Sequence, residues 1–142
     1  MGLEWIRENP AQWDAPKASV IGGAELGSLD PVERREGDIL PGEWWRVEDA
    51  GRVVGYGWMD CTWGDAEILL AVARGDRGRG VGVYILEGLE REAAARGLNY
   101  LYNQVHPKHP HLDRVAAWLG RHGFGASGGD HLLRRRVRGP AR

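Results

Sequence analysis

Cysteine is nearly absent. Cys61 stands alone in 142 residues, which excludes an internal disulfide framework and suits a reducing compartment. Lysine is almost as scarce, with only Lys17 and Lys108 among 19 basic residues. Arginine therefore carries nearly all of the positive charge, a bias that a GC-rich genome explains as readily as any ligand. Neither sign of charge is in excess: the formal net charge is −1 and the pI about 6.5. No global field draws such a chain to nucleic acid or to an acidic membrane. No apolar run approaches the roughly 20 residues that span a bilayer. The first residues lack the basic start and apolar core of a signal peptide, and Ile6 stands where a myristoylation signal wants Ser or Thr. A cytoplasmic protein is expected. With no internal repeat and no low-complexity linker, residues 1–142 read as one domain around one core.

Tryptophan, by contrast, is plentiful, with seven residues. Most are expected in the core, where aromatic area stabilises strongly. Residues 1–42 are the least legible part. They suggest a strand at Leu3–Arg7, a helix over Pro10–Gly22, a second short helix at Leu29–Glu36 and a turn at Pro41-Gly42. Beyond them the pattern is clear. Glu43–Glu48 and Arg52–Cys61 read as a hairpin about Asp49-Ala50-Gly51. In its second strand Val54, Tyr56 and Trp58 share one face and Gly55, Gly57 and Met59 the other, a small-residue face that invites close approach by a helix. A buried strand, Ala66–Ala73, follows. Then comes a helix over Gly80–Arg96, in which Val81, Ile85, Leu89 and Ala93 recur every four residues. Glu87, Glu90 and Arg91 form its outer face, and Gly97 is its C-cap. A strand at Tyr100–His106, a helix at Leu112–His122 ending in Gly123-Phe124, and a strand at His131–Arg138 complete the order. The expected fold class is α+β (α/β in the broad sense), a mixed sheet with helices packed against it.

The chemistry-bearing stretch is Arg77-Gly78-Arg79-Gly80-Val81-Gly82, between the buried strand and the helix. The first N–H groups of a helix have no partner within it, and its dipole is positive there. Glycine lets a ligand approach the backbone closely, and arginine adds forked donors. A phosphate-bearing guest is expected. A Walker A loop would need Gly-Lys-Ser/Thr, which is missing, and the two-and-two glycine spacing does not fit a dinucleotide fingerprint. The remaining alternative is a turn that merely joins strand to helix.

The run Glu43–Phe124 resembles the GCN5-related N-acetyltransferase (GNAT) superfamily. It has the hairpin, the strand, the turn Arg77-x-x-Gly80-x-Gly82 five residues after Val72, and Gly-Phe about forty residues later. That resemblance implies a mostly antiparallel central sheet of six to seven strands with helices on both faces. It implies acetyl-CoA as acyl donor, with the pyrophosphate on Arg77, Gly78, Arg79, Gly80, Val81 and Gly82. The pantetheine arm would run along Ala71, Val72 and Ala73, where that strand splays from the Tyr100–Val105 strand, with a backbone N–H as oxyanion donor. An amine acceptor, small molecule or protein, would attack directly in a ternary complex. No nucleic acid, membrane or metal partner is expected, and homodimerisation is left open.

Deprotonating a lysine-like amine of pKa about 10.4 at pH 7 costs roughly 4–5 kcal/mol, so a base is useful. Glu67 is the candidate general base; a solvent-facing strand carboxylate is the alternative, because a one-residue slip reverses the face. Two departures from the family pattern stand out. Its general-acid tyrosine is replaced by Leu119, and its helix-start asparagine is missing from His109-Pro110-His111-Leu112-Asp113. Asn103 is a candidate carrier contact in its place. Tyr84, Tyr100 and Tyr102 read as packing. His106, His109 and His111 lie in a proline-stiffened loop without metal-ligand spacing, although one could act as base. Trp44, Trp45, Trp58 and Trp63 could wall an acceptor pocket or simply pack. Arg134–Arg138 could meet an acidic partner or protect an edge strand. A non-catalytic acyl-CoA-binding or sensing module, and an interaction protein that no longer binds carrier, are the other functional readings.

Overall fold

The computed structural model describes residues 2–21, 35–104, 112–126 and 132–138. Seven strands form one sheet: β1 (Leu3–Glu8), β2 (Glu43–Asp49), β3 (Arg52–Thr62), β4 (Asp65–Val72), β5 (Tyr100–Gln104), β6 (Gly125–Ala126) and β7 (Leu132–Arg136). Their spatial order is β1-β2-β3-β4-β5-β7-β6. Every neighbour pair is antiparallel except β4 with β5. The helices are α1 (Ala15–Ile21), α2 (Val81–Ala95) and α3 (Leu112–Arg121). Among the described residues no helix is long and apolar enough to cross a membrane.

The sheet separates two apolar layers. On one face α2 and α3 bury Val81, Ile85, Leu86, Leu89, Ala93, Leu119 and Phe124 against Trp45, Val47, Met59, Ala66, Ile68 and Leu101. On the other, Val20 and Ile21 of α1 cover Trp44, Tyr56, Trp58 and Leu69. The glycine face of β3 is where α2 comes close. A Cβ on Gly55 would lie 2.9 Å from Ile85 Cδ1, and one on Gly57 2.9 Å from Ile85 Cγ2. Val54 departs from the expected alternation. The β2–β3 register shifts between Val47 and Glu48, so this bulge turns Val54 to the α2 face and leaves Tyr56 and Trp58 on the α1 face.

Both long helices stop as glycine chemistry dictates. At α2, Leu98 N–H donates to Ala93 O and Gly97 N–H to Ala94 O, with Gly97 at φ 69°. At α3, Phe124 and Gly123 repeat the arrangement on Leu119 and Gly120. The first helix is shorter than expected. Ala11 to Trp13 are extended and bonded to Gly37, Asp38 and Leu40, so α1 starts only after Asp14, whose carboxylate accepts from Lys17 N–H at 2.9 Å. The short helix expected at Leu29–Glu36 does not include Arg35 or Glu36, which lead into a turn held by Asp38; its remainder lies outside the described residues. Strand β6 has no counterpart in the sequence reading.

Candidate functional site

Parallel pairing of β4 with β5 lasts for three rungs only: Asp65 with Tyr100, Ala66 with Leu101, and Glu67 with Tyr102. Beyond the third rung β4 runs on to Val72 against β3 alone, and among the described residues no strand pairs its other edge. Ala73 N–H donates to Val54 O at 2.8 Å. Residues alternate along a strand, so Ala71 and Ala73 turn their backbone groups to β3 while Leu70 and Val72 turn theirs into the opening. Of the expected trio Ala71, Val72 and Ala73, only Val72 turns its N–H and C=O away from β3, as Leu70 does. The next carbonyl towards the crotch, that of Ile68, is taken by Asn103 Nδ2 at 2.8 Å. Asn103 is buried and stands one residue past the last rung.

The cleft leads to the start of α2. A short 3-10 turn, Arg74–Asp76, precedes Arg77, Gly78, Arg79 and Gly80, all exposed. Gly78 (φ 77°) and Gly80 (φ 84°) occupy left-handed backbone that a side chain would strain. A Cβ on either would meet nothing within 4 Å, so the space before the loop is open. Gly80 is the N-cap and supplies no side-chain cap. Its carbonyl takes Tyr84 N–H, which leaves the N–H groups of Val81, Gly82 and Val83 without intrahelical acceptors. The Val81 side chain lies in the core; only its backbone can serve an anion. Gly82 has a different reason to be glycine, since its Cβ would sit 3.2 Å from the Trp118 ring of α3.

A carboxylate, Asp76, lies buried beneath this cradle. Arg52 grips it with two bonds of 2.9 Å, and Arg79 adds a longer contact of 3.4 Å. These hydrogen bonds, Arg52's above all, hold the Asp76 carboxyl below the usual carboxylate range. Two arginines, Arg52 and Arg79, thus share this one acid. Sequence reading missed both Arg52 and Asp76. They lie 24 positions apart, and a register is needed to bring them together.

Glu67 falls on the α1 face at the last paired rung, with Asp60 of β3 on one side and Tyr102 of β5 on the other. Burial, reinforced by the Glu67 charge, raises the Tyr102 phenol above its ordinary value, against a hydrogen bond with Thr62. Tyr84 packs, donating to Leu3 O at 3.2 Å. Leu119 is buried in the α2-face core and presents no group to the cleft. Trp44, Trp45 and Trp58 are core, the Trp44 and Trp58 indoles both donating to Pro41 O, whereas Trp63 is fully exposed at the β3–β4 turn. Two charged expectations change. Glu90 is buried rather than outward, and it gathers Arg135 and Arg138 at 2.8 and 3.0 Å. Strand β7, which carries those arginines, lies between β5 and β6 rather than at the sheet's edge. His106, His109 and His111 fall outside the described residues, among which no three His, Cys, Asp or Glu converge on a metal-sized site.

Among the described residues, a parallel pair that ends after three rungs lies beside a helix start with no side-chain cap and bordered by arginines, an arrangement that can accommodate an extended, phosphate-bearing ligand. An acetyltransferase (GNAT) domain model matches residues 41–125, more than half of the chain. The chain belongs to the GNAT acetyltransferases. No curated protein matches it. Solved structures share the fold at low identity. A protein assigned to the GNAT family from Desulfovibrio desulfuricans superposes with a TM-score of 0.61 at 17% identity, over 68% of this chain and 71% of that one. N-acetylglutamate synthase from Neisseria gonorrhoeae, solved with coenzyme A and N-acetyl-glutamate, gives 0.58 at 18% over 67% of this chain. The match covers only 26% of that synthase. Phosphinothricin acetyltransferase from Sinorhizobium meliloti, solved with AcCoA, gives 0.55 at 18%, over 68% of this chain and 61% of that one.

Proposed function

We propose that this chain transfers an acetyl group from acetyl-CoA to a primary amine by direct attack in a ternary complex. The observation that carries the reading is the continuity of two open features. The edge of β4 that no described strand pairs leads to the N-terminus of α2, which has no side-chain cap. An acyl carrier has an arm with amide groups and a pyrophosphate, and it needs both. The synthase from N. gonorrhoeae and the acetyltransferase from S. meliloti were solved with CoA and AcCoA, which supports that choice of carrier.

The pyrophosphate would take the N–H groups of Val81, Gly82 and Val83 together with Arg77 and Arg79. The arm would pair with Leu70 and Val72, and the thioester would lie at the crotch near Ile68. A carbonyl there is within reach of the Leu70 N–H, which would stabilise the tetrahedral oxyanion. The acceptor would enter from the α1 face, where Glu67 takes a proton from the incoming ammonium. The neutral amine then forms the C–N bond, the adduct sheds its second N–H proton to water, the C–S bond breaks, and thiolate departs with the electron pair. A balancing proton reaches it from solvent.

A second reading, a non-catalytic acyl-CoA sensor, is favoured by one observation: Leu119, at the position where a tyrosine acid is expected, is buried in the core. Thiol release from acetyl-CoA over a panel of primary amines separates the two. Turnover on at least one amine, reduced on the order of 10²-fold or more in Glu67→Gln with carrier affinity preserved, supports the transferase. Tight carrier binding with no turnover on any amine supports the sensor.

A further inference from the structure

We propose that Asn103 is the hydrogen-bond donor that receives the departing thiolate, in the place of the tyrosine that this chain lacks. This rests on the acetyl-CoA reading of the cleft. Three observations converge on the residue. It lies one position beyond the last β4–β5 rung, at the closed end of the opening, where the arm must stop. Its side chain is buried and shares the α2 face with Leu101, opposite the face that bears Glu67. Its Nδ2 donates to Ile68 O at 2.8 Å, which fixes the plane of the amide and uses one of the two protons on that nitrogen.

Asparagine is an odd choice for a buried strand position. It has low β-propensity, and burying an amide is costly unless its groups are matched. A purely structural stop for the parallel pairing requires only one donor, for the Ile68 carbonyl. The second amide proton projects from a nitrogen held at the crotch itself. An amine adds to one face of the planar thioester carbon, and the C–S bond bends toward the other face as the tetrahedral adduct forms. A base on the α1 face and a donor on the α2 face match that division.

The step balances simply. Glu67 removes one proton from the ammonium, and the neutral amine adds to the carbonyl carbon. The tetrahedral adduct sheds its second N–H proton to water as the C–S bond breaks and the sulfur leaves with both electrons. Asn103 donates a hydrogen bond to that sulfur but gives up no proton. The thiolate is protonated from water, at a thiol pKa of about 8.5.

Coenzyme A itself is the probe, so no acceptor is needed. Its thiol is titrated by thiolate ultraviolet absorbance in complex with the full chain. The matched desulfo-CoA complex is subtracted to cancel Cys61 and the tyrosines. The expected result is a bound thiol about one pH unit more acidic than free CoA. In Asn103→Leu and Asn103→Ala that shift should disappear while calorimetry still shows CoA bound. The ionisable groups on the surrounding elements are the same in all three proteins: Glu67 on β4, Tyr102 on β5, Glu90 on α2 and Arg135 on β7.

A wild-type thiol that titrates as in free CoA overturns the proposal, whatever the variants do. So does a shift that persists in a folded variant that still binds CoA. Failure of the wild type to bind CoA at all would instead remove the acetyl-CoA reading itself.

Discussion

Glycines at this site are required for two unlike reasons, and substitution separates them. Gly80 sits at φ 84° with open space before it. Gly80→Ala should therefore cost about 1–2 kcal/mol through left-handed strain alone and should weaken CoA binding by calorimetry. Gly88 has ordinary backbone, but its Cβ would lie 2.8 Å from the Trp5 ring. Trp5 is itself stacked on Trp45 at 5.5 Å, so making room for the methyl would disturb that pair. Gly88→Ala should cost about 1–3 kcal/mol in urea unfolding and leave CoA affinity unchanged. The first kind of glycine was readable in the sequence because turn chemistry is local. The second was not, since nothing near Gly88 in sequence announces a tryptophan from β1. Glu90 was misread for the same reason: helical spacing put it outside, and only the return of β7 supplies the arginines that make its burial tolerable.

At the level of elements, α1 is fastened by charge as much as by oil. Lys17 is fully buried, 2.6 Å from Glu8 and 3.1 Å from Asp14, with its ammonium 5.0 Å from the centre of the Tyr56 ring. Removing one partner of a buried pair strands the other. Lys17→Met should therefore destabilise by about 3–5 kcal/mol, and adding Glu8→Gln should recover part of the loss. Thermal unfolding of the single and double variants checks both. Legibility differs between elements. Strands β3 and β4 and helix α2 were located within a residue or two, β3 and α2 from their periodic apolar faces and β4 from its continuous apolar run, although Val54 and Glu90 turn the other way from expectation. The expected helix over Pro10–Gly22 starts late, at Ala15, because Ala11 to Trp13 spend their backbone bonds on residues 37 to 40, a contact no local pattern encodes. The splay between β4 and β5 lay in between: it was inferred from family resemblance, and no residue pattern announced it.

Across the whole molecule, acid should be the weak direction. Arg96 hydrogen-bonds Glu43 and lowers its pKa; at Glu90 burial pushes upward, but bonds from Arg138 outweigh it. Asp76 is lowered too. Carboxyls depressed in the folded state add stability that is complete above their unfolded values of about 4. That stability is lost as pH falls through the folded values. Urea midpoints should thus hold steady near neutrality and decline below about pH 4. Glu90→Gln should lower the unfolding free energy at neutral pH by about 2 kcal/mol and flatten the acid limb. Saturating CoA should raise stability by about 2.7 kcal/mol at a hundredfold excess over Kd.

The three-rung junction of β4 and β5 has a mechanical consequence. It divides the sheet into two antiparallel plates, β1 to β4 and β5 to β7, that share little main-chain stitching. Two side-chain fastenings add to it: Asn103 of β5 on the Ile68 carbonyl of β4, and Glu90 on α2, which bolts Arg135 and Arg138 at the end of the other plate. A guest held in the gap would bear on these joints, so the stiffness of the Glu90 cluster would help to set how wide the gap stands. Glu90, Arg135 and Arg138 would thereby share in the fit between protein and guest without lying on the strand edge it would occupy.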